Sequence, residues 1–217
     1  MRTQSGTIIK DGVEHSTYPP PLVLVKVMER CWAEKFVTMG SMRFGSLESY
    51  RRWEDAVLGD PNDGKGMFHM KGHPYNIGSS NHVYAWCAAQ PDITPERVLV
   101  LASQSGYDCL VQIHQPKILI RRVKTSLLAI DRNLLLHCAE VLYNRGSEVD
   151  KTTLNSQKFH FNVFQKDPIF SDDCAYRLSL TDAGLKTQLK DHIDIELGDC
   201  SDIMNIEDLP SGELERV

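Results

Sequence analysis

Apolar positions along this chain fall mostly into short runs of period two, broken by turn residues and a few helical stripes. Leu22, Val25, Met28, Trp32 and Phe36 recur at three- and four-residue spacing, which predicts an amphipathic helix over 22–36 despite its β-branched content. The run 42–47 alternates, with Arg43 on one face and Met42 and Phe44 on the other, and reads as a strand. A helical segment follows over 48–56, ended by the turn residues of 59–64. Residues 67–74 and 78–81 read as a loop-rich connection of the kind that covers a site. Strands are expected at 82–88 and 107–114, and at 134–143 an edge strand, because its polar and apolar residues do not alternate cleanly. Thr94-Pro95 starts a helix that Gly106 closes, and Gln115-Pro116 starts another through Leu128. The stretch 157–166 suits strand or helix equally until Pro168 ends it. In the strand 172–180, Tyr176, Leu178 and Leu180 share one face, while Ala175, Arg177 and Ser179 make the other unusually small and polar. Further strands follow at 192–197 and 201–206.

Many short strands with a few helices and no regular βαβ alternation give an α+β domain with a largely antiparallel core. The polar segment 1–21 ends in Tyr18-Pro19-Pro20-Pro21 and reads as an extended N-terminal arm, 22–209 as a single domain and 210–217 as a flexible tail. Neither a Walker loop nor GxGxxG is present, so the two commonest nucleotide-binding frameworks drop out. A net charge of −5 argues against broad electrostatic capture of nucleic acid without excluding a local basic groove. The six cysteines form no CxxC pair and read as reduced thiols, and no leader or long apolar run is visible, so the expectation is a cytoplasmic protein with no membrane contact.

Candidate chemistry concentrates in 40–66. Gly40 and Gly45 frame Arg43, and a small residue beside a strand arginine lets an anionic ligand approach the backbone. His69, His73, His82 and Cys87 match no metal-ligand spacing, and no metal is expected. Ser103 and His114 lack the GxSxG elbow a hydrolase needs. Glu54, Asp55, Asp60 and Asp63 lack the alternation of a calcium loop and read equally as a solvated helix end and turn.

The landmarks MRFGSLESYRRWEDAVLGDPNDG, VYAWCAA, YDCLVQIHQPKIL, FSDDCAYRLSL and HIDIELGDCSDI occur in an order that resembles a bacterial family of phage-defence-associated proteins similar to ADP-ribosyltransferases, over about residues 36–206. The resemblance implies a split, mostly antiparallel β core with flanking helices and NAD as cofactor. It implies that a first-strand Arg or His grips NAD, that a second strand carries a small hydroxyl or an aromatic, and that a later Gln-x-Glu or Glu-x-Glu supplies the catalytic glutamate. That glutamate holds the ribose hydroxyl and stabilises the oxocarbenium ion as nicotinamide leaves. By position Arg43 matches the first of these, residues 84–88 the second and 170–177 the third. Here Asp173 stands in the Gln place and Ala175 in the Glu place. Either a natural member has lost the chemistry and only binds, or alanine was put in place of a glutamate that makes the protein toxic; the unrelaxed flanking signature favours the second.

On this reading Arg43 holds the NAD phosphate or ribose beside Ser46 and Tyr50, Tyr84 and Trp86 stack on nicotinamide or pack in the core, and Asp173 and position 175 form the catalytic strand. Arg51, Arg52, Glu54 and Arg177 lie towards the substrate, Arg177 otherwise pairing with Glu48, Glu54 or Asp55. Arg43 and position 175 must then face each other across a gap sized for a dinucleotide. The resemblance further implies a toxin or anti-phage effector with an antitoxin partner and a protein, RNA or DNA acceptor. Two other classes stay open: a non-enzymatic nucleotide- or protein-binding module, and a metal-dependent nuclease using the acids near Glu54.

Overall fold

In the computed structural model of the chain the described residues are 7–10, 13–16, 20–52, 60–78, 83–130, 134–147, 163–182 and 190–209. The expectations for Glu54 and Asp55, for His82, for the helix over 53–56, for most of 157–166 and for the tail lie outside them. The chain is mixed α/β with a mostly antiparallel sheet. Ahead of it, β1 (Thr7–Lys10) and β2 (Val13–Ser16) pair as a hairpin within the expected N-terminal arm.

The first correction concerns 22–36. Instead of one helix, the Val-rich half is strand β3 (Leu24–Met28), and only after Glu29 does helix α1 (Arg30–Met39) begin. The three- and four-residue spacing linked residues of two different elements; β-branched side chains at 23, 25 and 27 favour the pleated surface. Gly40 closes α1 at φ 62°, and a Cβ there would lie 2.6 Å from that of Leu197, so both conformation and space demand glycine. Strand β4 (Met42–Ser46) and a short helix α2 (Leu47–Arg51) follow, Ser46 Oγ capping the helix by accepting from Ser49 N at 3.0 Å.

The second correction is the expected loop at 67–74. It is a hairpin, β5 (Lys65–Met70) and β6 (His73–Gly78), joined at Lys71 and Gly72, both at positive φ as a two-residue hairpin turn requires. Strand β7 (Val83–Ala89) leads to α3 (Pro95–Ser105), begun by the Thr94 cap and ended by Gly106 as expected, then β8 (Cys109–Ile113) and α4 (Pro116–Ile130). Strand β9 (Leu134–Glu140), a 3₁₀ turn (Pro168–Asp173), β10 (Ala175–Asp182), β11 (His192–Ile195) and β12 (Met204–Asp208) complete the order.

Among the described residues eight strands form the main sheet in the order β11-β4-β7-β3-β8-β12, with β10 between β7 and β9. Each of these pairings is antiparallel, and among the described residues β9 pairs with β10 alone. β7 is central. Tyr84, Trp86 and Ala88 join Tyr176, Leu178 and Leu180 in the main core, beneath Ala33 and Phe36 of α1 and Leu119, Val123 and Leu127 of α4. Val83 and Ala85 face the other way, onto Leu47, Ala139, Val163 and Phe164. Burial on both faces explains why VYAWCAA is almost continuously apolar. No helix among the described residues is long and apolar enough to cross a membrane.

On that second face two buried arginine–aspartate pairs hold the turn Asp60–Gly64. Arg177, 1% exposed, grips Asp63 with two parallel bonds of 2.7 and 2.8 Å, and Arg145 meets Asp60 at 2.8 Å. The expected acidic partners of Arg177 are thus replaced by Asp63, because the 60–64 turn folds over β10. Burial pushes the Asp63 carboxyl up, but the Arg177 charge and hydrogen bonds outweigh it and hold its pKa below the ordinary value. Such a group stabilises the fold above its unfolded pKa, and the contribution fades as pH falls through the depressed folded value. Removing one partner of a buried pair costs about 3–5 kcal/mol, so Asp63→Asn and Arg177→Met should each lose that much in urea unfolding at neutral pH. The gap between the unsubstituted chain and Asp63→Asn should narrow below about pH 4; a gap constant with pH would rule out the ionised pair.

Candidate functional site

The sheet divides at β7. One edge of β7 is paired along its whole length by β10, Ala175 opposite Ala89 through Thr181 opposite Val83. The other edge is shared: β4 pairs at Gly45–Ala85 and Ser46–Tyr84, and β3 joins only at Val25–Ala89. Between those contacts β7 has no strand partner among the described residues, and side chains take over its exposed carbonyls. Lys26 Nζ donates to Cys87 O at 2.7 Å, and Tyr50 Oη donates to Ala85 O at 3.3 Å. Tyr50 reaches this place because Gly45 lies under its ring, where a Cβ would be 3.1 Å away. The space that glycine opens is filled by tyrosine, not by a ligand at Arg43.

Beside the divided edge lies a cavity of about 190 Å³. Its walls come from β3, β7, α3, the 60–64 turn, Lys166 and the start of β10. Arg177 forms one wall, and it also donates to Val163 O at 2.6 Å and Cys87 Sγ at 3.3 Å. Burial lowers its pKa, but Asp63 more than compensates and holds it well above the usual guanidinium value. Asp173 forms a second wall, receiving Arg97 Nη2 at 2.6 Å and Lys166 Nζ at 3.5 Å. Burial raises the phenol pKa of Tyr50, so Tyr50 is a neutral hydrogen-bonding group in the cavity.

Ala175 sits at the mouth of β10, 5% exposed, and lines the cavity. Its backbone is fixed on both sides: its N–H donates to Tyr143 Oη at 2.8 Å, and its carbonyl accepts from Val141 N at 2.9 Å. Position 175 is therefore a rigid platform carrying a methyl group in a cavity lined by the basic side chains of Lys26, Lys166 and Arg177 and by the carboxylates of Asp63 and Asp173.

Of the residues singled out from sequence, the cavity brings together Tyr50, Asp173, Ala175 and Arg177. Arg43 is not among its lining residues. It lies on the strand that parts from β7, half-exposed, with Nε donating to Asp194 Oδ1 at 2.8 Å and its guanidinium 6.0 Å from the Trp32 ring. The arginine and position 175 thus do not share this cavity. Ser46 is a helix cap, and Tyr84 and Trp86 belong to the main core, Tyr84 Oη accepting from Lys190 N at 3.3 Å. Arg51 is held by Glu48 at 2.5 Å and Asp63 O at 2.9 Å, and Arg52 is exposed near Glu48. Asp60 and Asp63, two of the acids a nuclease would need, are engaged by arginines.

Sequence reasoning missed Lys26, Asp63 as the partner of Arg177, Cys87, Tyr107 and Lys166. Lys26 carried a usable signal: it is the one charge inside Leu22-Val23-Leu24-Val25-Lys26-Val27-Met28. A lone ammonium in so apolar a strand needs a partner or a cavity to accommodate it.

Gly45→Val should crowd Tyr50 and cost about 1–3 kcal/mol in urea unfolding, whereas the same change in a Tyr50→Ala background should cost little. An equal cost in both backgrounds would show that Tyr50 is not what Gly45 makes room for. Compared with protein-family models, with curated proteins and with solved structures, the chain matches none.

Proposed function

We propose that this chain is built as an NAD-dependent ADP-ribosyltransferase, a toxin or anti-phage effector acting on a protein or nucleic-acid acceptor, with Ala175 where its catalytic glutamate belongs. The observation that carries the reading is the methyl group of Ala175 on a backbone fixed from both sides, lining a cavity among Lys26, Lys166 and Arg177. A carboxylate on that platform would share the cavity with Lys26, which has no carboxylate partner among the described residues. The divided antiparallel sheet, with position 175 beside the parting strands, agrees with the split core the resemblance implies. An antitoxin partner and a cytoplasmic setting are part of the same proposal.

The residues present fit one end of the cofactor. A cavity of about 190 Å³ is smaller than the roughly 300–1,000 Å³ of pockets for drug-sized ligands, so part of a dinucleotide would lie outside it. Tyr50 would offer its ring face and Lys26 a cation. Bound NAD would supply the ADP-ribosyl group with nicotinamide as leaving group. Arg177, held by Asp63, Val163 O and Cys87 Sγ, keeps the strand in place. With a methyl group at 175 the chain binds without turning over; that same methyl group favours the second reading, a binding module.

The deciding experiment is Ala175→Glu with labelled NAD. Restoring one electrostatic catalytic group should raise nicotinamide release by at least about 10²-fold, and expression should become toxic. NAD at a hundredfold its Kd should stabilise the unsubstituted chain by about 2.7 kcal/mol. Protection by NAD with no gain of turnover in Ala175→Glu leaves the binding module; absence of both overturns the proposal.

A further inference from the structure

The basic side chains on the cavity walls are not partnered alike. The Arg177 guanidinium is matched by Asp63, and Lys166 shares Asp173 with Arg97. Lys26 is different. Its contacts among the described residues are the Cys87 carbonyl and the face of the Trp86 ring, 4.9 Å from Nζ to the ring centroid. Neither is an anion, yet the amine lines a cavity at the place where the sheet opens. A neutral amine can make both contacts; a charged one lacks a counter-ion.

We propose that Lys26 is the phosphate-binding residue of this cavity, and that a ligand phosphate supplies its missing counter-ion and is bound together with a proton. The assignment rests on the nucleotide-binding reading above but moves the phosphate contact from Arg43, which Asp194 already engages, to a residue in the divided edge. Burial lowers the pKa of Lys26, the nearby Cys87 only partly opposing it, so the empty cavity weighs against the ammonium form. An incoming phosphate reverses that preference: the amine takes a proton from solvent and becomes the ammonium that pairs with it. The other ionisable groups on the walls do not supply the effect. Asp63 with Arg177, and Asp173 with Arg97 and Lys166, are already ion pairs, while Tyr50, Tyr107 and Cys87 would gain a negative charge by titrating, which a phosphate opposes.

Calorimetric titration of the full chain with ADP, adenosine, inorganic phosphate and NAD, each in two buffers of different ionisation enthalpy, tests this. ADP should bind with uptake of up to about one proton, and adenosine should bind at least tenfold more weakly with none. Lys26→Met should lose the uptake and at least tenfold in ADP affinity. Lys26→Arg, permanently charged, should keep binding but take up no proton, which separates a ligand contact from a merely structural role and serves if Lys26→Met fails to fold. Equal affinity for adenosine and ADP, no binding of ADP, or uptake that persists in either variant would overturn the assignment. Phosphate binding with uptake while ADP does not bind points to a free-anion site and overturns the nucleotide source. The two readings separate cleanly: ADP uptake without NAD binding keeps Lys26 and ends the transferase, and NAD binding without uptake does the reverse.

Discussion

A guanidinium with almost no water around it must find its whole hydration shell in protein, and the match between Arg177 and Asp63 is the constraint on which the second face of the sheet depends. Transferring both ions from water is costly, and geometry repays it only when the bonding is close and well directed. Here the aspartate takes two N–H groups, a backbone carbonyl of the 163–166 segment takes another, and the Cys87 sulfur takes Nε. One side chain thus fixes β10, β7, the 60–64 turn and residue 163 relative to one another. The small polar face of β10 is small because that arginine and its shell need the room.

The same pair sets the electrostatics of the cavity. With Arg177 paired to Asp63, and Arg97 and Lys166 both against Asp173, Lys26 is the basic group on the cavity walls with no carboxylate partner among the described residues, and Ala175 is a bare platform in the same cavity. Those two features are complementary: one is an amine without a carboxylate, the other a position where the resemblance expects one. Their coexistence in one space joins the divided sheet to the proposed chemistry.

Sequence made the capped helices and the alternating strands readable because their signals are local. Thr94, Pro95 and Gly106 bound α3 within a dozen residues, and the two faces of β10 follow from alternation alone. It failed at 22–36, where strand and helix meet end to end and their apolar residues happened to fall in one register. The site was half legible. Tyr50 lies in the 40–66 stretch where candidate chemistry concentrates, and Asp173, Ala175 and Arg177 lie in the segment marked by its small polar face and by the resemblance. The partner of Arg177 is 114 residues distant, and no local pattern announces such a pairing. Arg43 drew notice as an arginine on a glycine-framed strand, but the glycine at 45 serves Tyr50, and the arginine turns to the neighbouring strand β11.

Gln165 has a mechanical consequence. Its amide oxygen accepts from Met67 N at 3.0 Å, and its amide nitrogen donates to Met67 O at 3.2 Å, so one side chain imitates a peptide unit in a strand ladder. The hairpin of β5 and β6 contributes nothing to the cavity walls, yet it is latched to the residue preceding Lys166, which does. A ribbon of surface backbone is thereby tied to the cavity wall across a single peptide bond.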